Sequence, residues 1–200
     1  IPATVTEFGT GVFTSCNSLH TIYIDENNPT FFMYNRVMYK RNPLSLFFVP
    51  RAISGSIELY NGITTIPSSA FQYRNVTEVI IPESVIEIKD AAFNSCSYLT
   101  SVTIGDNVTS IGRDAFSNCS SLQEIEIPFS VKIIDQLAFS SCNNLTEVTL
   151  NNGLETIGSY AFSYCSSLSS ITLPSSLTLI ENKAFYLCES LKTVVNNSNL

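Results

Sequence analysis

Apolar residues recur along this chain at a fixed interval of 23 residues. One copy places them at Ala92, Phe93, Cys96, Leu99, Val102 and Ile104; the next at Ala115, Phe116, Cys119, Leu122, Ile125 and Ile127. Two further positions complete each period. Val85 and Ile88 return as Val108 and Ile111, Val131 and Ile134, Leu154 and Ile157, and Leu177 and Ile180. A constant period of this length marks a stacked repeat, in which each unit hides its apolar face only against its neighbours.

Within a period the pattern changes character. Ile125-Glu126-Ile127, Val148-Thr149-Leu150 and Ile171-Thr172-Leu173 alternate apolar and polar residues and predict short strands, apolar side inward. A turn follows, marked by Pro82, Pro128 and Pro174 or by Asn151-Asn152-Gly153. Gly112 and Gly158, with Asp90, Asp135 or Asn182 nearby, precede the Ala-Phe pair and suit the start of a short helical or 3₁₀ turn.

Eight strands are predicted, centred near residues 23, 58, 80, 103, 126, 149, 172 and 194. They stack in parallel into one sheet. The predicted fold is an α/β repeat solenoid, with a parallel sheet on the concave face and short helical or 3₁₀ turns on the convex face. Residues 1–200 form one such solenoid. Two early copies are degenerate: one runs from Val5 through Phe13, Cys16 and Ile22, and the other carries Arg74 where the cysteine belongs.

Residues 27–56 hold a variant repeat with about a dozen extra residues. Phe31 to Tyr39 and Leu44 to Val49 are β-rich runs around Asn42-Pro43. They predict a β-hairpin that replaces the Ala-Phe-Cys turn and projects from the solenoid.

These residues resemble the BspA-like leucine-rich repeats, also called the Treponema pallidum type. Leu122, Ile125, Ile127, Pro128, Ser130, Val131, Ile134, Ala138, Phe139 and Cys142 carry most of that family's pattern. Asn28, Pro29, Phe31, Val37, Tyr39, Leu46 and Pro50 match its variant unit, with Arg36 where that unit usually has glycine. The resemblance implies a cell-surface or secreted protein that attaches to a protein or glycan on a host cell, on matrix or on another microbe.

Composition narrows the function classes. The net charge is −7, which argues against a nucleic-acid partner, since that requires a basic face. No run reaches the roughly 18 apolar residues of a membrane helix. The chain opens on Ile1-Pro2, which matches the strand end Ile81-Pro82, and closes on a repeat strand at Val194-Val195-Asn196. This predicts a segment of a larger protein.

Cys96, Cys119, Cys142, Cys165 and Cys188 read as buried, unpaired rungs of a ladder, because their side chains point in parallel into the core. No Cys-x-x-Cys occurs and His20 is the only histidine, so no metal and no cofactor are expected. His20 follows Cys16 by four residues, but nothing supplies a positioned base for nucleophilic chemistry. Cys16 is expected as a further rung and His20 as an exposed side chain, and no enzyme is predicted.

The candidate binding surface is the outward row of the strands: Tyr23, Glu78, Thr103, Glu124, Glu126, Glu147, Thr149 and Thr172. Extended sheet faces of this kind bind partners in solenoids; the same row would also simply keep the sheet soluble. A second candidate is the cations of the insertion, Arg36, Lys40, Arg41 and Arg51. No acid lies between Glu26 and Glu58, so this stretch carries +4 and the rest −11. Such a patch steers anionic partners or protects exposed strand edges. The competing readings of the whole chain are a spacer or stalk and a homotypic assembly module with weak self-association through the basic hairpin.

Overall fold

A computed structural model describes residues 1–9 and 11–198. The described residues form sixteen β-strands and no helix. The long strands are β4 (Ser54–Glu58), β6 (Asn75–Ile80), β8 (Ser101–Thr103), β10 (Glu124–Ile127), β12 (Glu147–Leu150), β14 (Ser170–Leu173) and β16 (Thr193–Asn196). They pair in parallel with the register of the repeat, for example Ile125 on Val148 and Ile171 on Val194. Their hydrogen bonds fall into three blocks, β4–β6–β8, β10–β12 and β14–β16. Seven of the eight predicted strands therefore form; around residue 23 the chain is irregular. In β10, β12 and β14 burial alternates as the pattern requires, with Ile125 and Ile127 inside and Glu124 and Glu126 outside.

A second parallel sheet was not expected. It consists of two-residue strands: β5 (Thr65–Ile66), β7 (Glu87–Ile88), β9 (Ser110–Ile111), β11 (Ile133–Ile134), β13 (Thr156–Ile157) and β15 (Leu179–Ile180). Each supplies one isoleucine to the interior, and Ile66, Ile88, Ile111, Ile134 and Ile157 are fully buried. A dipeptide is too short to show alternation, so only its recurrence marked it.

The helical turns expected on the convex face are not formed. Each Ala-Phe-x-x-Cys segment, taken with the residue just before it, contains two residues in the left-handed region: Ala91 (φ 55°) and Ser95 (60°), Asp114 (55°) and Asn118 (60°), Leu137 (60°) and Ser141 (61°), Tyr160 (58°) and Tyr164 (59°). A right-handed helix admits none. Backbone N–H groups instead alternate in direction. Ala92, Asn94 and Cys96 donate back to Lys89, Ala91 and Phe93 at 3.0–3.2 Å, closing local turns. Ala91, Phe93 and Ser95 donate along the stack to Arg113, Ala115 and Ser117 at 2.7–2.8 Å. The stack thus gains a third ladder, and the left-handed residues aim its donors. Gly112 and Gly158 serve close approach rather than a helix start: a Cβ at Gly158 would lie 2.7 Å from the Asp135 carbonyl carbon and the Gln136 nitrogen.

Inside, Phe71, Phe93, Phe116, Phe139, Phe162 and Phe185 stack face to face, their centroids 4.9–5.6 Å apart and their planes within 19°. All six cysteines are free; the five from Cys96 to Cys188 are buried. Each buried thiol donates to the carbonyl of the phenylalanine one rung back, from Cys96 to Phe71 (3.0 Å) through Cys188 to Phe162 (3.0 Å). Cys therefore fills a methyl-sized site that also needs a donor. Cys16, expected as a rung, is exposed, because no regular turn stacks upon it.

The insertion differs from the projecting hairpin in two ways. It has three antiparallel strands, β1 (Phe31–Tyr34), β2 (Val37–Arg41) and β3 (Leu44–Phe48). Asn35 (φ 45°) and Arg36 (66°) make the first turn, which accounts for glycine at the Arg36 position in the related variant unit. The layer is also built into the stack. Val37 and Tyr39 face the long core, while Met38 between them faces a separate cluster with Ile22 and Phe31. Asn28 ties this region together: its Nδ2 donates to Pro2 O and Val5 O, and its Oδ1 accepts from Thr30 N and Phe31 N, all at 2.8–3.0 Å.

Candidate functional site

The period of two in the long strands sends every second side chain to the solvent face. Glu78, Thr103, Glu124, Glu126, Glu147, Thr149 and Thr172 all lie there and are exposed. Tyr23 is exposed as well, at 82%, but from a segment without strand pairing. It is not on the sheet with the others; its carbonyl accepts the N-terminal amine of Ile1.

The parallel register aligns these residues into rows. Glu124 stands opposite Glu147 and Glu126 opposite Thr149; on the previous block Glu78 stands opposite Ser101 and Ile80 opposite Thr103. Neighbouring strands lie about 4.8 Å apart, so the Glu124 and Glu147 side chains leave the sheet side by side. Like charges directly across a strand pair destabilise it, by roughly 0.2–1 kcal/mol. The described ion pairs, Lys89–Glu87, Arg113–Asp114 and Lys132–Glu155, lie elsewhere.

A groove of about 620 Å³ runs across β8, β10 and β12. Its walls include Ser101, Thr103, Glu124, Glu126, Glu147 and Thr149, and two acids that sequence reasoning missed, Glu83 and Asp106. Both occupy the second residue after the strand's last inward position, behind Pro82 and Gly105. That shared place in the repeat was the available signal. The Asp106 amide donates to Glu83 Oε2 at 2.8 Å, and Asn151 Nδ2 donates to Glu126 Oε1 at 3.2 Å. Five carboxylates thus line one groove with no Lys, Arg or His in its walls. A shallower hollow of about 560 Å³ continues over Thr149, Ser170 and Thr172. The surface is chemically an acidic strip grading into hydroxyls.

The insertion's cations do not make a matching patch. Arg36 donates from Nη1 and Nη2 to Ser54 O and Ser56 O, both at 2.8 Å, and so caps the edge of β4. Arg41, at the far end of β2, donates to Asn28 O (3.3 Å) and lies over the Phe32 ring at 4.8 Å. Lys40 is half-buried and Arg51 is exposed near Arg74. Cys16 and His20 are both exposed, with His20 Nδ1 on Ser18 O at 2.7 Å.

This geometry defines a leucine-rich-repeat β-solenoid. The family model for BspA-type leucine-rich repeats matches residues 1–54 and 55–200 in six copies, and the chain belongs to that family. Among solved structures it is similar to a leucine-rich repeat protein from Eubacterium ventriosum, at 26% identity and a TM-score of 0.72 over 94% of this chain and 57% of that one. The T. pallidum leucine-rich repeat protein is 31% identical, with a TM-score of 0.67 over 71% of this chain and 69% of that one. A leucine rich cell surface protein from Faecalibacterium prausnitzii is 26% identical, with a TM-score of 0.60 over 86% and 55%. The chain thus spans a little over half the length of the first and third of these relatives. No curated protein matches it.

Proposed function

We propose that this chain is a non-catalytic recognition segment of a surface or secreted protein, and that it holds its partner on the long-strand face. The observation that carries this reading is the acidic groove. Glu83, Asp106, Glu124, Glu126 and Glu147 converge on it without a cation in its walls, at a cost to sheet stability. Its natural partner is a basic protein surface on a host cell, matrix or another microbe, drawn in by charge and held by the hydroxyl rows. The likeness to a leucine rich cell surface protein supports the location. The matched family is a repeat scaffold rather than an enzyme family.

The test is a charge reversal. Glu124→Lys/Glu126→Lys/Glu147→Lys should lose attachment to epithelial cells and to immobilised matrix proteins by tenfold or more, and wild-type attachment should weaken as salt rises. Attachment unchanged by the triple substitution would favour the spacer reading. Self-assembly through the basic insertion has lost much of its basis, since Arg36 and Arg41 serve internal contacts.

A further inference from the structure

The turn ladder is interrupted once, and the interruption leaves a cavity. From residue 69 to residue 164 each turn donates along the stack, beginning with Ser69, Phe71 and Tyr73 to Asp90, Ala92 and Asn94 at 2.7–3.0 Å. Between the turns at residues 11–16 and 69–74 the variant repeat supplies β3 and its following loop instead of a turn. The amides of Phe13 and Ser15, which correspond to Phe71 and Tyr73, have no acceptor among the described residues. The phenylalanine stack lapses at the same place, and Phe13 lies against Phe48 at 4.8 Å.

The gap measures about 330 Å³, and Phe8, Phe13, Phe47 and Phe48 wall it together with Arg51 and Arg74. Arg74 occupies the cysteine position of its rung. It imitates the thiol by donating to Val49 O (3.2 Å), and it also donates to Gln72 O (2.7 Å). Its Nε is buried with no partner. Neither guanidinium has a carboxylate partner among the described residues. Burial, and then the nearby Arg51 charge, push Arg74 below the usual arginine range. A desolvated cation beside a second cation is a cost that a bound anion would offset.

We propose that this cavity binds a small aromatic monocarboxylate, its ring among Phe8, Phe13, Phe47 and Phe48 and its carboxylate between Arg51 and Arg74. The volume lies at the small end of ligand sites, which run from about 300 to 1,000 Å³. Aromatic walls favour a ring in offset or edge contact, and the Arg51 guanidinium, which has no internal partner among the described residues, offers a fork that favours a carboxylate over a point anion, with the Arg74 charge beside it. The cavity is separate from the acidic groove and opposite to it in charge, so the two readings stand or fall independently.

Calorimetric titration of the whole chain with 4-phenylbutyrate, against 4-phenylbutanol as the uncharged analogue, tests this. Arg51→Gln is the informative variant, because the Arg51 side chain makes no hydrogen bond or ion pair among the described residues and its loss leaves the fold intact, as circular dichroism would verify. Saturable one-to-one binding of the acid is expected, weakened tenfold or more for the alcohol and for Arg51→Gln. Absence of acid binding, equal binding of acid and alcohol, or binding unchanged in Arg51→Gln would overturn the proposal.

Discussion

Residues 63–196 and residues 1–54 draw on one repeat pattern and build it differently. In the first region successive rungs are tied by two-residue strands, by turn amides and by stacked phenylalanines, with long-strand pairing added in three blocks. In the second, Phe13, Cys16, Leu19 and Ile22 stand at matching positions, yet Cys16 is exposed and only Ile22, Phe31 and Met38 are buried in the local cluster. The difference is the neighbour. A solenoid rung has no core of its own and takes its order from the coils on either side. Here one side is a three-stranded layer whose alternating residues serve two clusters.

The largest expected effect separates the regions by pH. Burial raises Cys96 to about 12 and pushes Cys119, Cys142 and Cys165 upward as well. In the unfolded chain a thiol ionises near pH 8.5. Above that pH the unfolded state releases protons that the native state keeps, so stability is full below about pH 8.5 and falls as pH rises toward 12. Each thiol contributes a slope of about 1.4 kcal/mol per pH unit. Together the four remove on the order of 10 kcal/mol by pH 10.5, enough to unfold an ordinary domain. Urea midpoints followed by circular dichroism from pH 8 to 10.5 should fall steeply, and less so in Cys142→Ala. Midpoints independent of pH would refute the buried-thiol account.

Next in size is the aromatic stack. Phe116 is fully buried between Phe93 and Phe139, at 5.1 and 5.2 Å. Phe116→Ala should cost about 3–5 kcal/mol, and Phe13→Ala, at a half-buried site, about 1–2 kcal/mol. Urea denaturation measures both, and equal losses would erase the distinction between the regions.

A smaller effect probes the insertion. Arg36 holds φ at 66° and donates to Ser54 O and Ser56 O. Arg36→Ala loses both bonds and keeps the left-handed strain; Arg36→Gly loses the bonds and relieves the strain. Alanine should therefore be the worse substitution by about 1 kcal/mol. Equal thermal stability of the two would mean that the left-handed conformation at this turn carries no strain.

The stacking of rungs was legible because it rests on inward residues that recur through the five regular copies: Phe93, Cys96, Leu99 and their equivalents. The outward rows followed from the same alternation, which placed Glu124 and Glu147 side by side. The turns were misread for a physical reason. Ala92, Phe93, Cys96 and Leu99 have near-helical spacing, and nothing in the side chains of Ala91 or Ser95 announces φ near +60°. That conformation is imposed by the carbonyls of the next rung. The insertion misled in the same way, because Asn35-Arg36 lacks the glycine that usually signals its turn. Glu83 and Asp106 were missed because they lie in turns, outside the strand pattern that selected the other acids.

The smallest effect is the most direct probe of why the acidic row exists. Glu124 and Glu147 face each other across β10 and β12, and no ion pair involves them among the described residues. Glu147→Gln keeps the side-chain shape and removes one charge, so it should stabilise the chain by roughly 0.2–1 kcal/mol. The gain should shrink as salt rises toward 1 M, where the screening length is about 3 Å. A thermal shift series in salt measures it. If the row serves only to keep the sheet soluble, glutamine is equivalent and attachment is untouched. If the row recognises a basic partner, the more stable variant is the weaker binder, the trade-off expected when a site is kept at the expense of the fold. A Glu147→Gln chain that is neither stabilised at low salt nor impaired in attachment would leave the acidic groove without a role.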